Sequence, residues 1–351
     1  MEPSGSNVNN AGRKKPYRSI GDELFDTYGG KVYKLSLQTG CGCPNRDGTK
    51  GRGGCIFCGE KGSGEFAESC LIPIGEQIEL AKNRVRLKAG KSLAGYIAYF
   101  QSFTNTYGDF GRLSKLFREA IENPDILILS IATRPDSISD EMYGFLGELN
   151  KIKSVWVELG LQTVHEDTAR FIRRGYELGT FEEAVKRLKR EGITVITHMI
   201  AGLPGESEER IKETAGYISE LSDETGQPLI DGMKIHLLYV LEGTDLGRLY
   251  KEYGGGKALP ENGGCEDILI PFEGNFIKWH IFSMEEYVSL VTDILERLPE
   301  RIIVHRITGD APKSLLIAPK WSGDKKRVLN AFTKEFKIRE SYQGKRRNKN
   351  G

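Results

Sequence analysis

The sequence predicts an α/β protein built on a parallel sheet, either rolled into a full or partial (β/α) barrel or laid out as a doubly wound open sheet. Two observations carry this. Short β-rich apolar runs alternate with helical patterns, and several of the runs are continuous, the mark of strands buried on both faces. Polar or glycine-rich clusters also follow strand after strand. In a parallel barrel those strand ends converge on one face, where active sites lie, whereas a doubly wound sheet gathers its site at one crevice. The repeated clusters therefore favour the barrel.

In chain order, the first strand is Val32–Leu37, followed by a cysteine-rich stretch. A helical pattern at Glu76–Lys88 leads to a strand at Tyr96–Phe100 and the cluster Gln101-Ser-Phe-Thr-Asn-Thr106. The helix Phe110–Glu122 precedes the strand Ile126–Ile131, which runs into Thr133-Arg-Pro-Asp136. Ser139–Leu149 is helical, and the strand Val155–Leu159 leads into Glu158-Leu-Gly-Leu-Gln162. Phe181–Arg190 then precedes Thr194–Ile200, which ends in Gly202-Leu-Pro-Gly-Glu206. Ser207–Leu221 is helical, Lys234–Val240 is a strand, and Met284–Leu298 precedes a last strand at Ile302–His305, with Arg306 and Thr308-Gly-Asp310 after it. Gly254–Gly264 (GGGKALPENGG) is of low complexity and reads as a surface loop.

Composition bounds the rest. With 351 residues, 38% hydrophobic residues and 42 glycines, the chain is an ordinary globular protein, which excludes disorder and a collagen-like repeat. No run of eighteen apolar residues occurs, and the N-terminus MEPSGSNVNNAGRKKPYRS lacks the apolar core of a secretory signal, so we expect a cytoplasmic protein with no membrane partner. The net charge of +1 conceals a gradient. Lys320–Gly351 holds eleven basic and three acidic residues, a net of +8, which leaves −7 on the remainder. A basic end on an acidic body suits a polyanion such as RNA; a merely solvated tail is the plainer alternative.

Five of the six cysteines (Cys41, Cys43, Cys55, Cys58 and Cys70) fall within thirty residues, and Cys265 stands apart. Clustered thiols in an enzyme-sized cytosolic chain point to metal or redox chemistry, not a disulfide framework. Two chemistries fit. Cys41, Cys43, Cys55 and Cys58, as C-x-C and C-x2-C separated by eleven residues, suit a tetrahedral structural zinc site. Alternatively, three thiolates in glycine-rich backbone hold an iron–sulfur cluster and leave one iron open for chemistry. The stretch follows a barrel strand, in the position of a catalytic loop, which favours the cluster. Cys70 and Cys265 are expected to be ordinary buried thiols.

The run CPNRDGTKGRGGCIFC, followed by GSGEFA, YFQSFTNTY, TRPD, WVELGLQT, HMIAGLPGE, KIHLLYVLEGT and HRITGDAP, resembles the YhcC-like (YtqA-like) radical SAM proteins, relatives of the elongator catalytic subunit. The resemblance extends over roughly residues 30–343, with the motifs in the family's order. It implies a partial (β/α)6-type barrel over residues 20–310 with a loop insertion at 254–279, between a flexible basic tail at 1–19 and a basic α/β extension at 311–351. It further implies a [4Fe–4S] cluster on Cys43, Cys55 and Cys58, with S-adenosylmethionine (SAM) on the fourth iron. Reduction by a donor such as flavodoxin or ferredoxin would cleave SAM to a 5′-deoxyadenosyl radical.

Other roles carry over by motif. Phe57 would lie beside the adenine, and Gly202 with Gly205 would let backbone approach it. Glu158 and Gln162 would contact the ribose and methionyl part of SAM, and Arg174 would grip its carboxylate in a two-pronged contact. The Gly-Gly-Glu that often holds the SAM amino group is absent, so Gln101, Thr104 or Asn105 is assigned that part. Tyr176 stands where relatives commonly show His.

His198, His236 and His305 each lie in or end a strand; they are read as core or substrate-contacting residues, with a three-His metal site as the rival. Arg134 and Asp136, with Arg306 and Asp310, are expected either to pair across the barrel mouth or to bind substrate. The elongator likeness makes a tRNA wobble uridine, or its C5 side chain, the expected substrate, for example in trimming a carboxymethylaminomethyl group to aminomethyl. Two rivals remain: a non-enzymatic, zinc-containing RNA-binding protein and a hydrolase with a histidine-bound metal.

Overall fold

The computed structural model describes residues 16–60, 62, 67–89, 92–254, 266–309 and 311–347. Most of the N-terminal tail, Gly255–Cys265, Asp310 and residues 348–351 lie outside these, as does most of GSGEFA.

Six β-then-helix units follow one another. They comprise β1 (Lys31–Leu37) with α2 (Ile74–Ala89), β2 (Leu93–Phe100) with α3 (Phe110–Glu122), and β3 (Ile126–Thr133) with α4 (Asp140–Asn150). After β4 (Ser154–Gln162) come α5 (Glu166–Phe171) and α6 (Leu178–Arg190); β5 (Thr194–Ala201) leads to α7 (Glu208–Glu220), and β6 (Gly232–Leu237) to β7 (Val240–Leu241) and α8 (Asp245–Tyr253). The chain continues through β8 (Glu266–Phe272), β9 (Asn275–Ile281), α9 (Met284–Arg297), β10 (Ile303–Arg306), β11 (Leu316–Ala318) and α10 (Lys325–Ile338). Ahead of them all, α1 (Ile20–Tyr28) is capped by the Ser19 hydroxyl and closed by Gly29 at φ 69°.

Seven strands form one parallel sheet in the order β1-β2-β3-β4-β5-β6-β10. The order never reverses, so the sheet has no switch point of the doubly wound kind; it is a partial barrel. Beyond the six expected units, β10 adds a seventh strand beside β6.

The outward side chains of the strands, among them Leu35, Phe100, Leu129, Val157 and Met199, are buried beneath the helices. Those helices turn one apolar stripe inward; in α3 it is Leu113, Phe117, Ala120 and Ile121. The base of the barrel interior is a separate apolar cluster in which Leu24 of α1 meets Ile97, Ile128, Trp156 and Ile196. Helix α1 packs on both edge strands, β1 and β10, and Arg18–Ser19 runs alongside β10 (Val304 N donates to Arg18 O, 2.9 Å). The sheet edges are thereby covered.

Three regions differ from expectation. The expected loop insertion becomes, from Glu266, the β8–β9 hairpin. Its tight turn places Glu273 and Gly274 at φ 48° and 79°, the backbone that a two-residue hairpin connection requires. The expected strand Lys234–Val240 breaks after Leu237, and Val240–Leu241 pairs antiparallel with β11. The basic C-terminal segment docks on the body, α10 lying against α9. Arg339 binds Asp293 (2.6 Å), Arg346 binds Asp293 and Glu296, and Arg347 binds Glu220. Much of the arginine charge thus neutralises the acidic body instead of standing free.

Candidate active site

The cysteine loop leaves the C-terminal end of β1 and folds on itself through short backbone bonds. Cys43 O accepts from Arg46 N (2.9 Å), Pro44 O from Lys50 N (2.8 Å) and Asn45 O from Gly54 N (2.8 Å). Gly54, at φ 80°, leaves room for the Arg46 side chain; a Cβ there would sit 2.8 Å from Arg46 Cγ. Arg46 in turn donates to Cys58 O (2.7 Å) and Gly59 O (2.6 Å), tying down the C-x2-C end. Ile56 N donates to Ile172 O, and Leu246 N to Ile56 O, so the same end is pinned to the barrel rim.

Cys43, Cys55 and Cys58 are half-buried. Burial pushes the Cys55 thiol up to about 12; Cys58 and Cys43 add to the shift, and Arg134 and Asn45 oppose it. The three sulfurs therefore face a common region. Among the described residues no three His, Cys, Asp or Glu side chains group as ligands to a single metal ion. Three half-buried thiols on one glycine-rich loop are a donor set that fits a polynuclear iron–sulfur cluster. Cys41 is not part of this group: it is buried in the outer core and accepts from Arg112 Nη2 (3.3 Å). Cys70, expected to be buried, is exposed beside Gly40, because its segment crosses the surface ahead of α2. Cys265 lies outside the described residues.

Above the apolar base the barrel interior turns polar. Glu158 is enclosed, and both its oxygens are engaged. Oε1 accepts from Lys34 Nζ (3.2 Å) and Ser130 Oγ (3.0 Å); Oε2 accepts from Tyr99 OH (3.0 Å) and Lys234 Nζ, and lies 2.8 Å from His198 Nε2. Burial alone would raise the Glu158 carboxyl, but Lys234, Lys34 and His198 overcome it and hold the group well below its usual range. Among the described residues the surrounding field is positive, since Lys34, Lys234 and Arg306 act on the chamber against the Glu158 carboxylate. Burial, reinforced by Lys234, lowers His198 to about 4, and burial with neighbouring cations draws His236 and His305 down as well, so all three imidazoles are neutral. His236 Nε2 and His305 Nδ1 have no hydrogen-bond partner among the described residues. Lys34, Ser36, Gly160, His198 and His236 are half-buried, whereas the outward residues between them are buried: the upper interior is an open chamber.

The residues expected to hold SAM divide into two sets. Phe57 is half-buried against the apolar cluster at the mouth (Ile172, Ile200, Leu203 and Leu238). Gln101 is half-buried beside Ser36 (Nε2 to Oγ, 3.4 Å). Gln162 ends β4 at φ 70°; the missing Cβ of Gly160 makes room for its amide, 2.7 Å from where that atom would stand. Gly202, at φ 93°, bends the end of β5, and its carbonyl accepts from the indole of Trp279 (3.1 Å). These four line the rim.

The other three are engaged inside the protein. Asn105 is fully buried: its oxygen accepts from Thr39 Oγ1 (2.9 Å) and its nitrogen donates to Phe100 O (3.1 Å) and Ala132 O (2.8 Å), which joins three strand ends and leaves no donor for a ligand. Arg174 is 1% exposed. It donates to Tyr176 O (2.9 Å), Leu161 O, Thr163 O (2.7 Å) and Glu166 Oε1 (2.8 Å), so no two-pronged face remains for a carboxylate. Glu158 lies one layer below the rim, closed in by its lysines. Reading single residues along the sequence missed these partners because most are backbone carbonyls or side chains that only the folded turns and strand ends bring together. Thr104 is likewise buried. Arg134 makes a two-pronged pair with Asp136 (2.9 and 2.8 Å) and donates to Arg174 O (2.9 Å), so it braces the loop beside Cys55.

Comparison with known proteins bears on the family and the fold. Residues 37–218 match the radical SAM superfamily, and residues 277–337 match the Radical_SAM C-terminal domain. The uncharacterized protein YtqA of Bacillus subtilis is 41% identical over 334 residues, 95% of this chain and 93% of its own. A Methanocaldococcus jannaschii protein named tRNA uridine(34) acetyltransferase is 26% identical over 189 residues, 54% of this chain and 29% of its own. In structure, the archaeal Elp3 of Methanocaldococcus infernus superimposes with a TM-score of 0.57 at 18% identity, over 87% of this chain and 63% of that one. A matching superfamily domain over half the chain, a near full-length relative and a shared partial barrel lead to one statement: the chain belongs to the radical SAM superfamily, in its YtqA-like group, enzymes that work with a [4Fe–4S] cluster and SAM.

Proposed function

We propose that Cys43, Cys55 and Cys58 hold the cluster and that the enzyme remodels the C5 side chain of the wobble uridine of tRNA, in the form of a carboxymethylaminomethyl group trimmed to aminomethyl, in which the side chain would lose a hydrogen atom and then an electron, returned to the cluster, and water would add to the resulting imine to release the two carbons as glyoxylate. The observation that carries this reading is the chamber: Lys34 and Lys234 bond to Glu158 with Arg306 acting on the same group of residues, so cationic side chains outnumber carboxylates there among the described residues, which favours a substrate group that brings a negative charge of its own. The partial likeness to a protein named for tRNA uridine(34) directs the choice of nucleoside.

When bound, cluster and SAM supply a 5′-deoxyadenosyl radical that abstracts a hydrogen from the substrate. The chain's own part is to bind, orient and exclude water. Gln101, Gln162, the Gly202 backbone and Phe57 line the rim where SAM is held. The mouth is dry on one side, where Trp279 and Ile270 of the hairpin are fully buried. Lys34 and the neutral His236 offer donors to an acidic side chain. A cleft of about 1210 Å³ beside Gly59 is lined by Lys313, Lys325 and Lys326 together with Glu60, Glu242 and Asp324, so its charge is balanced, and the phosphates of the RNA are assigned to the exposed lysines at its edge and not to its floor. The chemistry requires an electron donor, for which flavodoxin or ferredoxin is proposed. No helix among the described residues is long and apolar enough to cross a membrane.

Two measurements test this. Reconstituted protein is reduced with dithionite in the presence of SAM and assayed for iron, sulfide and 5′-deoxyadenosine. Nucleosides of tRNA from a strain lacking the gene are compared by mass spectrometry with those of its parent. Accumulation of a carboxylated wobble uridine supports the substrate; an unchanged profile removes it.

A further inference from the structure

The eleven residues between Cys43 and Cys55 contain a side chain whose placement has no packing explanation. Asn45 is 4% exposed. Its Nδ2 donates to Arg173 O (2.7 Å) and to Cys55 Sγ (3.6 Å). Two glycines make room for its amide: a Cβ on Gly51 would stand 2.2 Å, and one on Gly175 2.9 Å, from Asn45 Oδ1. Gly175 also sits at φ 79°, in the turn that presents the Arg173 carbonyl. Two separate segments are therefore shaped around one amide whose N–H is aimed at sulfur.

We propose that Asn45 is a positioning residue for the iron–sulfur cluster, its N–H bond to Cys55 Sγ setting the potential at which the cluster accepts an electron. The proposal rests on the assignment of Cys55 as a ligand. As a free thiol, Cys55 also donates to Arg173 O (3.6 Å). Ligation to iron releases that proton to solvent, and the sulfur then only accepts. Asn45 is the side-chain donor that remains on it. Reduction adds one negative charge, shared by the sulfurs, and a hydrogen bond to sulfur stabilises the reduced form more than the oxidised one. Removing the N–H lowers the potential.

The test uses the full chain, reconstituted anaerobically, in Asn45→Leu and Asn45→Asp. Leu keeps the volume without the donor; Asp keeps the shape and places an acceptor against the sulfur. Midpoint potential is read by EPR-monitored redox titration, with iron and sulfide content measured on the same samples. Either variant that loads iron as the parent does decides the question. The expected result is a fall in the reduced-to-oxidised ratio at fixed potential of about tenfold in Asn45→Leu, equivalent to about 59 mV for one electron, and a larger fall in Asn45→Asp. An unchanged midpoint at full iron content overturns the proposal. Cys55→Ala is run in parallel: if it keeps the parent's cluster signal and iron, the ligand assignment has failed, not the role of an amide beside a true ligand.

Discussion

The sharpest energetic consequence of the structure lies at Glu158. Replacing it with Gln removes the carboxylate that Lys34, Lys234, Ser130, Tyr99 and His198 all face, and it leaves two ammonium groups inside a chamber that also feels Arg306. Breaking a buried pair by removing one partner costs about 3–5 kcal/mol, because the surviving charge is left without compensation. Lys234→Met alone is expected to cost a similar amount. The double variant Glu158→Gln/Lys234→Met removes both charges, and its loss should fall short of the sum of the single losses by about 2–3 kcal/mol. The assay is reversible urea denaturation of the cluster-free chain under reducing conditions, with thermal melts as a second probe. At about 1.4 °C per kcal/mol for 351 residues, each single variant should melt about 4–7 °C below the parent. If the double variant loses the sum of the single losses to within about 0.5 kcal/mol, the two groups are not coupled and the account of the chamber is wrong.

Two further outcomes are expected. Burial raises Glu206 to about 7, so the folded state keeps a proton that the unfolded chain, near 4.5, gives up. That stabilisation is present below pH 4.5 and is lost as pH rises through 7. Glu206→Gln should accordingly gain on the parent by up to about 3 kcal/mol across this window in pH-resolved denaturation, and a constant difference would contradict the burial argument. Arg174→Lys replaces a fork that serves four oxygens with a single ammonium, so a loss of about 2 kcal/mol or more is expected in thermal melts; a melt unchanged from the parent's would show that the fork is dispensable.

The strands were legible because parallel strands buried on both faces read as apolar runs, and the helices between them because stripes such as Leu113, Phe117, Ala120 and Ile121 repeat at helical spacing. Less was legible where local signals were weak. Helix α1 follows a polar tail and owes its place to the gap between β1 and β10. The hairpin announced itself only in the alternation of EDILIPF and NFIKWHI around Glu273-Gly274. Within the site, the residue types were read correctly as polar groups of the strand ends, but burial and partnership depend on residues far away in the chain. Asn105 meets Thr39, and Glu158 meets Lys34 and Lys234, none of which the spacing of ELGLQT or SFTNT reveals. Asn45 was passed over because a lone Asn in a turn-rich loop carries no pattern; the neighbouring glycines Gly51 and Gly175 are informative only in three dimensions.

Helix α1 has a further effect on how the enzyme turns over. Leu24, Ile20 and Tyr28 pack against the apolar base, so among the described residues the chamber is closed at that end. Whatever enters the chamber therefore does so from the strand ends, past the rim that Phe57, Gln101, Gln162 and Gly202 line, and not from the side that α1 covers.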